Sequence, residues 1–353
     1  MGLAMPVVWS DDHRLHDPGG ETWLGLEIPA DEVPARAERI REALEKEGAR
    51  IVDARRQPDA TLTAVHDDEL IRHLQRAWSD WREAGLDMDP GQDRVVPYLF
   101  PHPGLFSGQG ARTAASITAR AGQFGYDTLT AIGAGTWEAA RGAVDAAVTA
   151  AELVIEGAPA AYACTRPPGH HVTRTCFGGS CYLNNTAAAA ARMRESAGGP
   201  VAVLDIDAHH GNGTQAIFWD DPAVLTGSVH VDPAEGWFPH FLGFEDERGV
   251  EDSNRNILVA PGSGDERWVE SAYELTGWAE SRGARAVVVA LGVDAAREDP
   301  ESPLAVTPEG FRAAGDAIGC LGLPTVIVQE GGYDLDTVGL LVYEALSGIE
   351  DAL

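Results

Sequence analysis

Two carboxylates and two imidazoles, Asp205, Asp207, His209 and His210, fall within six residues directly after the apolar run Val201-Ala202-Val203-Leu204. Isolated charge is expensive to bury, so a strand that ends this way must have a use for it. Three other apolar runs end similarly: Ala160 to Cys164 leads into RPPGHH and so to His170 and His171, Ala286 to Leu291 into Gly292-Val293-Asp294, and Thr325 to Gln329 into Glu330-Gly331-Gly332-Tyr333. Asp207, His209 and Asp294 offer two oxygen ligands and one nitrogen ligand. That is the complement of a catalytic divalent metal with a position left for water. No cysteine pair is available to close a structural zinc site, and the oxygen-rich set accommodates Zn²⁺ or Fe²⁺. Adjacent imidazoles suit acid-base work once their rings are held, and Asp205 and Asn212 stand where they could hold them. Tyr333, on a Gly-Gly turn, offers a phenol to a developing oxyanion.

These clusters need a scaffold that brings strand ends together. Short β-branched runs at Val7 to Trp9, Arg50 to Asp53, Ala160 to Cys164, Val201 to Asp205, Val224 to His230, Ala286 to Leu291 and Thr325 to Gln329 read as strands. Helical periodicity separates them over Val33 to Lys46, Asp67 to Glu83, Trp137 to Glu156, Leu183 to Glu195, Glu266 to Ser281 and Thr307 to Ile318. Such alternation predicts an α/β fold with a parallel sheet covered on both faces, whose ligands bind beyond the carboxyl ends of the strands. The stretch Gly85 to Thr113, with Pro90, Pro97, Pro101 and Pro103, reads as a long ordered loop whose aromatics Tyr98, Phe100 and Phe106 pack on something.

Composition excludes several classes of partner. The 55 acidic against 26 basic residues leave a net charge of -29 with no basic stripe, which argues against nucleic acid and anionic membranes and favours cationic ligands. The N-terminal stretch has no leader pattern and no window reaches 18 apolar residues, so a soluble cytoplasmic protein is expected. The four cysteines show no CxxC pairing and are expected to be reduced.

The strings RPPGHH, GGSCYLNN, LDIDAHHGNGTQ, LGVDAAREDP and QEGGY resemble the successive signatures of the zinc-dependent histone-deacetylase-like amidohydrolases. The segments VVWSDDHRLHDPGGE and DPAEGWFPHFLGFEDERG resemble the bacterial acetylpolyamine amidohydrolase branch. The resemblance implies a three-layer α/β/α arginase/deacetylase-like fold with a central, mainly parallel sheet of about eight strands. It implies one catalytic domain over residues 1–353, with a loop insertion at about 85–117 that narrows the entrance and makes a homodimer. By position it implies one Zn²⁺ on Asp207, His209 and Asp294, a His170-His171 dyad backed by Asp205 and Asn212, and Tyr333 polarising the substrate carbonyl. Gly179, Ser180, Phe238, Glu21, Ala296 and Glu301 would meet the substrate, and a structural K⁺ would lie near Asp205, Asp207, His209, Ser228 and Val229. The implied activity is hydrolysis of a small acylated, cationic amine.

Rival readings are an acetyl-lysine deacetylase acting on proteins, a silent acyl-amide binding protein, and a binuclear manganese ureohydrolase. The last needs carboxylates where Gly211 and Ala296 stand. Ser180 and Ala296 replace bulkier residues of the resembled pattern and predict a wider tunnel, while Ala121 stands in place of an acidic contact.

Overall fold

The computed structural model describes residues 2–88 and 91–353, so that Pro90 of the proline-rich loop lies outside the described residues. The chain runs β1 (Pro6–Trp9), β2 (Glu21–Trp23), β3 (Leu26–Ile28), α1 (Ala35–Lys46), β4 (Arg50–Asp53), α2 (Ala60–Thr63), α3 (Asp68–Glu83), α4 (Ile117–Phe124), α5 (Thr136–Ile155) and β5 (Ala160–Ala163). It continues with α6 (Asn185–Arg194), β6 (Val201–Asp205), α7 (Asn212–Phe218), β7 (Val224–Val231), β8 (Asn254–Val259), α8 (Asp265–Ser281), β9 (Ala286–Leu291), α9 (Pro308–Gly319), β10 (Thr325–Gln329) and α10 (Val338–Ala352). Eight strands form one sheet in the order β4-β1-β5-β10-β9-β6-β7-β8, and every neighbouring pair is parallel.

Side chains alternate across a strand, and here both faces are covered. In β9, Val287 and Val289 join a core with Ile40 of α1, Trp268 of α8, Phe311 of α9 and Leu346 of α10. Val288 points the other way, into a core with Leu74 of α3, Val144 of α5 and the alanines of α6. The result is a three-layer α/β/α fold of the kind the resemblance implies. The four adjacent strands β5, β10, β9 and β6 carry the loaded sequence clusters at their carboxyl ends, so the crossovers bring distant residues to one edge.

Some elements lie beyond those expected from the sequence, and one expectation, on the loop aromatics, is corrected. The polar run Asn254-Arg255-Asn256 begins an edge strand, β8, and Glu21 to Ile28 forms a two-stranded antiparallel hairpin. Short α7 starts directly at Asn212. The aromatics between α3 and α4 do not all pack within the chain, since Tyr98 is 75% and Phe100 38% accessible. No helix among the described residues is long and apolar enough to cross a membrane.

Candidate active site

Asp207 and Asp294 leave β6 and β9 fully buried and converge on the ring of His209, which keeps 14% of its side-chain surface. His209 Nδ1 lies 2.9 Å from Asp294 Oδ2 and 3.3 Å from Asp207 Oδ1. One ligand atom from each of the three lies within 4.8 Å of the others. Backbone amides fix the carboxylates: Gly331 N–H donates to Asp207 Oδ2 at 2.8 Å, and Ala208 N–H to Asp294 Oδ1 at 2.8 Å. Only glycine allows the first contact, because a Cβ on Gly331 would sit 2.6 Å from Asp207 Oδ2 and 2.7 Å from Asp294 Oδ2. Burial and the neighbouring Asp207 push the Asp294 carboxyl up to about 7. A buried carboxylate pair in which one member opposes the ionisation of the other is a donor set suited to a divalent cation, which favours the ionised form of both.

The two imidazoles of the HH pair lie with ring centres 4.0 Å apart, tilted by 43°, yet meet different partners. His170 Nδ1 faces Asp205 Oδ2 at 2.9 Å, and His171 Nδ1 faces Asn212 Oδ1 at 2.7 Å, all of them buried. Burial opposes charge on His170, but Asp205 and Asp207 outweigh it and raise the ring to about 10. His171 has only a neutral carboxamide, and burial with the adjacent His170 and His209 holds it well below its ordinary value. These surroundings favour the charged form of His170 and the neutral form of His171. Behind them, Glu330 accepts from the amides of Gly169 at 2.6 Å and His170 at 3.1 Å and from the hydroxyl of Thr186 at 2.6 Å.

Tyr333 is half-buried, with its N–H on Asp299 Oδ2 at 2.6 Å and its ring 4.5 Å from the guanidinium of Arg36. Arg36 also donates to the carbonyls of Glu330 and Gly332, so the Gly-Gly turn is clamped from below. Burial pushes the phenol well above its ordinary value against the pull of Arg36, and Asp207 and Asp294 reinforce it; Tyr333 stays a proton donor. Gly179 is at φ 60°, where a Cβ would lie 2.4 Å from His171 Cδ2, so bare backbone borders that ring. The Phe238 ring stands edge-on to His171 with centres 4.8 Å apart, beside Gly179.

Gly179, Ser180, Phe238, Glu21 and Glu301 all keep accessible surface around this cluster. Burial and then Glu301 raise Glu21 to about 8, and burial raises Glu301 to about 6 while His209 draws it down. Glu301 thus stands within electrostatic reach of both His209 and Glu21. Ala296 does not join them: it is wholly inaccessible, paired with Val306 in the core, and so removes no wall. Ala121 is likewise in the core. Asp205 and Ser228 are register partners on β6 and β7 with Val229 next along, beside a void of about 10 Å³. Arg36, Asp299 and Glu330 were not singled out as site residues by the sequence reading. Glu330 and Asp299 stand inside quoted motifs, whereas Arg36, 296 positions from Gly332, carries no local signal.

Residues 30–349 match the histone deacetylase domain. The chain belongs to the histone deacetylase family. It is 36% identical over 353 residues to the acetylpolyamine amidohydrolase of Mycoplana ramosa, covering 98% of this chain and 99% of that one. Acetylpolyamine amidohydrolase 1 of Pseudomonas aeruginosa is 37% identical over 362 residues, covering 99% of each. The crystal structure of acetylpolyamine aminohydrolase from Burkholderia pseudomallei superposes with a TM-score of 0.91 at 35% identity, covering 99% of both chains. The HD domain of HDA15, at 23% identity and a TM-score of 0.75, shares the fold. Family membership makes the protein a metal-dependent hydrolase of amide bonds.

Proposed function

We propose that the protein removes an acyl group, acetyl foremost, from the amine of a small cationic substrate of the acetylpolyamine kind. The observation that carries this reading is the convergence of Asp207, His209 and Asp294 beneath two differently partnered imidazoles, with Glu21 and Glu301 at the rim. The names of the relatives support the same substrate class. Asp207, His209 and Asp294 would hold one divalent ion, Zn²⁺ or Fe²⁺. Bound there, such an ion supplies Lewis acidity toward a carbonyl oxygen and lowers the pKa of water.

The remaining steps belong to the chain. Asn212 Oδ1 keeps a proton on Nδ1 of His171, so Nε2 takes the proton of the attacking water as the C–O bond forms. Tyr333 donates its hydroxyl to the carbonyl oxygen as negative charge develops there, a contribution worth about 3 kcal/mol. His170, the other member of the dyad, is held cationic by Asp205 and places positive charge beside His171. The C–N bond then breaks and the proton on His171 passes to the leaving nitrogen. Phe238 and the Gly179 backbone confine the acylated arm, and Glu21 with Glu301 face the cationic remainder.

Several further assignments complete the reading. K⁺ is assigned to the Asp205–His209 turn with Ser228 and Val229, and residues 1–353 to one catalytic domain with an insertion at about 85–117. A homodimer would cover the exposed Leu24, Tyr98, Leu105 and Phe241, of which Phe241 is 84% accessible. A cytoplasmic setting suits four cysteines that are all free. The test is kcat/KM on matched acetylated amines, one cationic and one neutral, with a preference of roughly tenfold expected for the cation. Absence of that preference, or its survival in both Glu301→Leu and Glu21→Ala, would move the substrate to neutral amides.

A further inference from the structure

Outside the active site, a pocket of about 190 Å³ opens between α3 and α4, closed on one side by Thr113 at the end of the long loop. Arg72 and Arg76, one turn apart on α3, and Arg120 of α4 line it. Their acidic neighbours leave donors over. Asp80 is shared by Arg76 at 3.0 Å and by Arg120, and Glu69 receives the hydroxyl of Thr113 at 3.2 Å. Among the described residues Arg72 has only Asp68, at 3.9 Å, beyond hydrogen-bond distance. The lining itself carries three guanidinium groups against two carboxylates, with Asp68 just outside it as the acidic neighbour of Arg72.

The floor of the pocket gives the second observation. His73 lines it, is 2% accessible, and has neither ring nitrogen hydrogen-bonded among the described residues. A buried polar group without a partner is costly and uncommon, so such a ring calls for a ligand. The ring is stacked on Phe124 at 4.8 Å and Phe177 at 6.0 Å. Burial, then Arg120, pushes it down to about 3, which leaves a neutral ring with one N–H to donate. Guanidinium forks with one neutral N–H match an oxyanion presenting two or three oxygens.

We infer that the α3–α4 pocket binds a small oxyanion, carboxylate or phosphate, held by Arg72, Arg76 and Arg120 with the ring of His73 as its floor. The site is separate from the catalytic cluster but lies one aromatic layer from it: Phe177 donates its N–H to Phe124 O at 2.8 Å and is followed by Gly178 and Gly179.

The test follows the His73 ring signal by NMR in histidine-labelled, metal-loaded protein, assigned with His73→Phe. Sodium phosphate and sodium acetate are titrated separately at constant ionic strength made up with chloride. A saturable shift is expected with at least one of them, and which one identifies the source of the oxyanion. The double variant Arg72→Gln/Arg76→Gln, altered at side chains 60% and 64% accessible, should keep kcat and weaken that binding at least about tenfold. A signal unmoved by both anions, moved equally by chloride, or titrating identically in the double variant would overturn the inference. Because the readout is the His73 ring, anion binding at the catalytic cluster does not imitate it.

Discussion

Replacing Asn212 with Asp separates the two imidazoles by charge alone. The change is isosteric and keeps an acceptor at the 2.7 Å contact with His171 Nδ1, but it places a carboxylate beside a ring that burial and two neighbouring histidines hold well below its ordinary value. Unit charges about 4 Å apart attract by roughly 4 kcal/mol at an effective dielectric of about 20. Keeping the new carboxylate out of water removes about half of that or more. The remaining ~1.5 to 2 kcal/mol corresponds to a rise of about one pKa unit or slightly more in His171. A base must be unprotonated to act, so raising its pKa moves the acid limb of the kcat/KM profile to higher pH by that amount. The assay is a pH series on one acetylated amine with metal content checked at each point. A limb that stays in place, with fold and metal intact, would mean that His171 is not the base. Asn212→Leu should instead leave Nδ1 unpartnered and lower kcat by about 100-fold or more, without moving the limb in the same direction.

Tyr333→Phe should keep metal and fold while lowering kcat by about 100-fold, read by steady-state kinetics beside metal analysis; near-normal kcat would remove the phenol from the mechanism. Ser180→Phe should raise KM for bulky acyl groups more than for acetyl, and an equal effect on both would deny Ser180 a place in the wall. Glu21 and Glu301 are raised to about 8 and about 6, so both gain negative charge as pH rises from 6 to 9. KM for a cationic substrate should fall over that range, and Glu21→Gln should flatten it. The folded state holds more protons on these carboxyls than the unfolded chain does, so their contribution to stability declines from about pH 5 to pH 8. Thermal melts of Glu21→Gln should lose that decline.

The parts of this protein that could be read along the chain are those where function and backbone coincide. Asp207, His209, Asp294 and the HH pair follow apolar runs that can only be buried strands, and ligand placement beyond parallel strand ends then brings them together. Other parts depend on partners far away in sequence. Arg36 is an ordinary residue of an amphipathic helix until the fold sets it under Tyr333, and nothing nearby marks it. Ala296 looked like a missing wall because it stands two residues after a ligand, but the turn that follows Asp294 points it into the core. Strand β8 begins Asn-Arg-Asn, which reads as loop; the side-chain amides of its asparagines instead donate to the side chain of Gln215 and to the carbonyls of Phe244 and Glu247. The hairpin carrying Glu21 is three residues per strand, too short for a periodicity to declare itself.

The central claim is that a metal held by Asp207, His209 and Asp294 is required for hydrolysis of a small acylated amine. The most direct measurement is acetate release from an N-acetylated diamine by purified protein, taken before chelation, after it, and after return of one equivalent of Zn²⁺ or Fe²⁺. Acetate and free amine should appear in equal amounts, cease on chelation, and return at about one ion per chain, while Asp294→Ala should neither retain the ion nor release acetate. Full activity in the chelated protein, or restoration only at two ions per chain, would contradict the account.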